Sequence, residues 1–246
     1  MIDIPMKSKG AIDRSTIGAI NNSRAPQNNP RAAAASAPAA DTPAHVRDAA
    51  PPQITRQQTI PPFLNPVPKG RKLPICSASS LSCIQACFGW NTVNALCDVD
   101  VSAFLLGADG KVLGDSWFVF YGQTESPDKS VLLLTECASD RQMISIDFDR
   151  LNPGVQKIVF VLTINEAFEK KLHFGMMKDA YVRILNPSDR TEYVSFLMDD
   201  YYSNVISMMI GEIYRYNGVW KFNAVGNGVA KDLAGLCSLY GVNVDD

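Results

Sequence analysis

Two aspartates, six cysteines and one histidine within a folding segment are the side chains of this 246-residue chain with the clearest chemical potential. Asp98 and Asp100 stand two apart in Cys97-Asp-Val-Asp-Val101. On a strand both carboxylates would face one side, and their mutual repulsion favours a cation between them. Calcium suits such a pair, because it gathers about six to eight oxygen ligands from carboxylates and carbonyls. The plainer alternative is a strand-entry turn with two solvated acids. Glu125, Asp147 and Asp149 belong to no ligand pattern and read as solvated charges. His173, beside Phe174-Gly175, reads as a packing or surface residue rather than a base. Gly226-Asn-Gly228 reads as a turn before a helix, where backbone amides could also hold an anion. No Ser/His/Asp set, P-loop or dinucleotide fingerprint occurs.

The cysteines are Cys76, Cys83, Cys87, Cys97, Cys137 and Cys237, with no C-x-x-C pair. Without an apparent export signal they read as reduced thiols, mostly buried as small hydrophobes, in a cytoplasmic protein. Cys137 differs because Arg141 is near in sequence, the one neighbour able to favour a thiolate.

The elements that must position these groups begin late in the chain. Eleven of the 15 prolines lie at or before Pro68, and Phe63 is the first aromatic residue. Residues 1–72 carry ten basic and four acidic groups, whereas the remainder carries 13 and 21. A disordered Pro/Ala-rich leader over 1–68 and an acidic domain over 69–246 follow from that asymmetry. The acidic body offers no basic stripe for nucleic acid. No apolar run reaches the length of a membrane-spanning helix, so no integral membrane contact is expected.

Strand patterns fill the domain. They comprise Val101–Leu106, Ser116–Tyr121, Ser130–Thr135, Met143–Phe148, Lys157–Ile164, Tyr181–Leu185, Tyr193–Leu197, Ser207–Tyr216 and Val219–Val225. Asp109-Gly110 and Asn217-Gly218 are hairpin turn pairs. Val229, Leu233, Leu236 and Tyr240 share a helical face, with Asn227 as its cap and Gly241 as its stop. A second short helix is expected near Glu166. The fold class is all-β: a two-sheet β-sandwich with a C-terminal helix and a disordered N-terminal tail.

An ordered series of segments resembles the TerD family of tellurium-resistance and stress-response proteins. It runs through Gly89-Trp90, Asp98–Leu106, Asp109–Val112, Phe118–Tyr121, Lys157–Val161 and Phe174-Gly175. It continues through Ala180–Ile184, Gly211–Arg215, Trp220–Phe222, Ala224–Gly226 and Tyr240–Val242. The resemblance implies a β-sandwich that in many members binds calcium, with no established catalysis. Asp98 and Asp100 match the family's D-x-D motif. Many members also carry a glycine-rich loop that opens Gly-Asp-Asn and closes Gly-Asp-Asp-Glu. Here residues 132–142 read Leu-Leu-Leu-Thr-Glu-Cys-Ala-Ser-Asp-Arg-Gln. Glu136 and Asp140 stand near the two acidic positions, Cys137 replaces the asparagine, and Arg141 adds a cation.

Asp98, Asp100, Glu136 and Asp140 are thus the metal-site residues that the resemblance implies. Arg141 is expected to neutralise Asp98 or Asp100 where calcium does so elsewhere. The expected function is a non-enzymatic stress-response or tellurium-resistance module, binding or scaffolding, with calcium use reduced or lost. Its partners would be other stress-response proteins. Two other classes stand beside it: a calcium-dependent membrane-surface or protein-docking module, and a thiol enzyme or tellurite-reactive protein acting through Cys137.

Overall fold

A computed structural model of the chain describes residues 12–13, 57–75, 81–135, 137 and 139–245. The expected leader outside 12–13 and 57–68, together with Cys76 and Glu136, lies outside the described residues.

The strands, in chain order, are β1 (Ile12–Asp13), β2 (Lys72–Pro74), β3 (Cys83–Thr92), β4 (Val99–Leu106), β5 (Phe118–Val119), β6 (Val131–Leu134) and β7 (Gln142–Asp147). They continue as β8 (Lys157–Ile164), β9 (Met177–Leu185), β10 (Glu192–Leu197), β11 (Ser207–Tyr216) and β12 (Val219–Val229). Helix α1 (Leu233–Tyr240) and β13 (Val244–Asp245) follow. One antiparallel sheet has five strands in the order β10-β9-β3-β7-β6, and the other has six, β2-β12-β11-β8-β4-β5. The backbone of β1 pairs in parallel with β13. The all-β expectation holds: two antiparallel sheets enclose a common core.

Strict alternation builds that core. Val99, Val101, Ala103 and Leu105 of β4 point between the sheets, as do Ile84, Ala86, Phe88 and Trp90 of β3. Phe88 and Phe160 meet edge to face across the layers, with ring centroids 5.3 Å apart. The opposite parity of β4 places Phe104 and Leu106 in a second apolar cluster, closed by Leu236 and Cys237 of α1. The expected packing role of the helix is therefore real, but its start is not where the pattern placed it. β12 extends through Val229, where Ser207 pairs with it, so Asn227 belongs to the ladder. Asp232 caps α1 instead, accepting from the Gly235 amide at 2.9 Å. Gly241 ends it at φ 81°, as expected of a left-handed stop.

Other local expectations also shift. Ser116 and Trp117 lie in a 3-10 turn, so β5 begins only at Phe118. The segment from Glu166 forms turns rather than a helix, with one 3-10 turn at Phe174–Met176. The hairpin at Asn217-Gly218 is as expected, both residues having positive φ.

Residues 57–68 form an extended strap on the five-stranded sheet, upstream of the expected domain start at residue 69. Pro66 makes a parallel bridge to Ser195 of β10, an edge strand. The Ser195 amide donates to the Asn65 carbonyl at 3.0 Å, and the Val67 amide donates to the Ser195 carbonyl at 2.9 Å. The chain then turns through Gly70, at φ 80°, and crosses to the edge of the six-stranded sheet as β2.

Candidate functional site

β4 carries the first acidic pair, but the two carboxylates meet different surroundings. Asp98 is exposed just ahead of the strand, and its carbonyl accepts from the Asn165 amide at 2.8 Å. Asp100 is 8% exposed within the strand. Short β5 pairs only with Ala103 and Phe104, so it does not reach the edge of β4 at Asp100-Val101. The first residue of β7 closes that edge. Gln142 donates from Nε2 to Asp100 Oδ1 at 2.8 Å and accepts from the Val101 amide at 2.6 Å. One side chain thereby joins the two sheets.

The residues just before β7 are fastened to β3 and β9. Arg141 donates from its amide to the Phe88 carbonyl at 2.8 Å and from Nε to the Trp90 carbonyl at 2.6 Å. Its guanidinium carbon lies 5.5 Å from the Trp90 ring centroid, within cation–π range. Asp140 turns toward β9 and is 3% exposed. It accepts from Tyr181 Oη at 2.9 Å, and Arg183 Nη2 lies 2.9 Å from both carboxylate oxygens. Ser139 Oγ adds a bond at 2.8 Å, and Arg190 stands 3.9 Å away. A carboxylate this deeply buried requires such donors. Glycine at 89 makes room for the network, since a Cβ there would fall 2.3 Å from Tyr181 Cζ.

The electrostatics of this cluster oppose thiolate formation. Burial, and then the Asp140 carboxylate, push the Cys87 thiol up to about 12 despite Arg190 and Arg183. The same two causes raise Cys137, with Arg190 as the opposing cation rather than the expected Arg141. Burial also raises Cys97 and takes Cys237 to about 12. Burial and Asp140 raise the Tyr181 phenol as well, so it remains a hydrogen-bond donor.

The four acids named from the sequence thus divide. Asp98 faces solvent, Asp100 is tied to Gln142, and Asp140 is held by Tyr181 and Arg183; Glu136 lies outside the described residues. Among the described residues no group of three or more His, Cys, Asp or Glu is arranged to hold a metal ion. These residues alone do not supply the oxygen set that calcium takes. Sequence reasoning missed Gln142, Tyr181 and Arg183. Arg183, between Val182 and Ile184, was the available signal, because an arginine amid strand residues calls for an anionic partner.

The arrangement of two sheets, an outer helix and an acidic strand entry coincides with a TerD domain match over residues 66–240. The chain belongs to the TerD family. Among its TerD relatives, the tellurium resistance protein TerD of Alcaligenes sp is 38% identical over 175 residues, spanning 68% of this chain and 91% of that protein. General stress protein 16U of Bacillus subtilis (strain 168) is 32% identical over 186 residues, spanning 72% of this chain and 96% of that protein. A solved structure of a telluride resistance protein (TerD) homologue from Streptomyces coelicolor A3(2) is 16% identical, with a TM-score of 0.48. It is matched over 65% of this chain and 96% of its own.

Proposed function

We propose that this TerD-family chain serves stress or tellurium tolerance in the cytoplasm as a non-enzymatic binding or scaffold module whose calcium use is reduced or lost. The observation that carries the calcium part is the capture of Asp140 by Tyr181 and Arg183. A carboxylate committed to those donors in a buried site has little capacity left for an ion. Gln142 on Asp100 supports the same reading. At Asp140 the Arg183 guanidinium supplies the neutralising charge. The tolerance role rests on the names of the relatives, one a tellurium resistance protein and another a general stress protein.

Calorimetric titration of the full chain with calcium tests this reading. The expected result is no binding tighter than about 1 mM, with Asp98→Asn/Asp100→Asn behaving like wild type. Submillimolar binding that the double variant abolishes would overturn it. In cells challenged with tellurite, expression of the wild-type chain should raise survival, and the double variant should protect equally.

A further inference from the structure

Arg183 and Arg190 bring two guanidiniums to one buried carboxylate. Both approach the outer face of β3, opposite the core residues Ala86 and Phe88. There Cys87 pairs with Arg183, and Gln85 accepts from Arg190 Nη1. Arg183 Nη2 lies 2.9 Å from Asp140 Oδ2, and Arg190 Nη2 lies 3.9 Å from the same oxygen. Asp140 offsets only one of these charges. The thiols of Cys87 and Cys137 add no compensating charge, because burial and Asp140 keep them protonated. Among the described residues, the cluster therefore holds one positive charge in excess.

A second observation points the same way. Arg183 Nε is buried and has no hydrogen-bond partner. Leaving a charged donor bare is costly, and a water or an ion is the usual explanation for one. The nearby Arg190 guanidinium makes an anion the stronger match, since two like charges this close repel. Asp140 does not oppose such a ligand at full strength, because Tyr181, Ser139 and Arg183 Nη2 all donate to its oxygens.

Arg190 supplies the approach. Its side chain is 48% exposed, against 11% for Arg183. A hydrogen-bonded turn between β9 and β10 presents it. The Asn186 amide donates to the Thr191 carbonyl at 2.8 Å, and the Arg190 amide donates to the Asn186 carbonyl at 3.0 Å. The Thr191 amide donates to Asp189 Oδ1 at 2.9 Å.

We propose that Arg190 and the Nε of Arg183 form a binding site for a small oxyanion of the phosphate type, on the outer face of the five-stranded sheet beside Cys87. Guanidinium N–H groups match the oxygens of such an ion, whose several oxygens serve two guanidiniums at once. The ion is small because Arg183 is nearly covered and Cys87 beneath it is 1% exposed. Phosphate binding here is independent of calcium at Asp98 and Asp100, and the two titrations succeed or fail separately.

Calorimetric titration of the full chain with inorganic phosphate, at ionic strength held constant with sodium chloride, tests the site. Wild type is expected to bind saturably, with Kd near or below about 1 mM. Arg190→Gln should weaken binding at least about tenfold. Arg190→Lys keeps the charge without the planar fork and should lose less. Lys171→Gln, which removes an exposed cation from the turns after β8, should bind like wild type. Urea midpoints without phosphate should agree among the variants, separating lost binding from lost fold. Phenyl phosphate, the same group on a larger body, should bind at least about tenfold more weakly than phosphate. Absence of saturable binding, equal binding by Arg190→Gln, or an equal loss in Lys171→Gln would each overturn the proposal. Equal affinity for phenyl phosphate would overturn the assignment to a small ion.

Discussion

At the residue scale, Asp140 commits its carboxylate to an internal ion pair with Arg183 and a hydrogen bond from Tyr181. Its partner Arg183 has a side chain 11% exposed, so neither charge has ready recourse to water. Breaking such a pair on one side strands the other charge, which typically costs about 3–5 kcal/mol. Asp140→Ala is expected to lower unfolding stability by that amount in urea titrations. Asp140→Leu/Arg183→Met, with neither charge remaining, should recover most of the loss. A single-variant cost below about 1 kcal/mol would show that water reaches the pair. The thiols illustrate the same local control, because burial first and then the Asp140 carboxylate raise both, and only the fold brings Asp140 to Cys87, whereas it is three residues from Cys137 in the chain.

Single elements are fastened by side chains that replace missing ladder bonds. Gln142 does this for β4, and Asp128 does it for the turn before β6. Asp128 accepts from the Ser126 and Ser130 hydroxyls at 2.7 and 2.6 Å, and from the Asn152 amide at 2.8 Å. Burial opposes its ionisation, but hydrogen bonds from Ser130 and Ser126 outweigh that and hold its carboxyl below the ordinary range. With the folded value lowered, the stabilisation is fully present above the unfolded value, about 3.9, and fades as pH falls through the folded value. Wild type should therefore lose stability more steeply than Asp128→Asn as pH drops below about 4. Urea midpoints measured across that range check the difference, and parallel curves would contradict it.

Across the whole molecule, one core serves both sheets, with the Phe88–Phe160 contact at its centre. Phe88→Ala should cost about 3–5 kcal/mol through lost burial and the cavity left behind. Trp90 lies on the five-stranded sheet and Trp220 on the six-stranded one. Tryptophan fluorescence and far-ultraviolet circular dichroism should therefore report coincident transitions, before and after the substitution. Separate transitions would mean that the sheets unfold independently.

The alternating run of β7, the continuous β-branched and apolar run of β8 and the Asn217-Gly218 turn were legible because period-two burial, β propensity and positive φ are local requirements written into residue types. The strand β3 was not, since its positions 86–92 are all buried without alternation and, unlike β8, it carries Ala, Cys, Gly and Asn where β-branched residues would mark a strand. The helix start was misplaced for a related reason: pairing with β11 claims Asn227–Val229 against a helical pattern that fits equally well. Sequence by itself determined the fold class, the family resemblance and the acidic strand entry. Only the tertiary structure decided the partners of Asp100 and Asp140 and the docking of the strap, because those contacts join segments far apart in the chain, and their energies depend on shared burial.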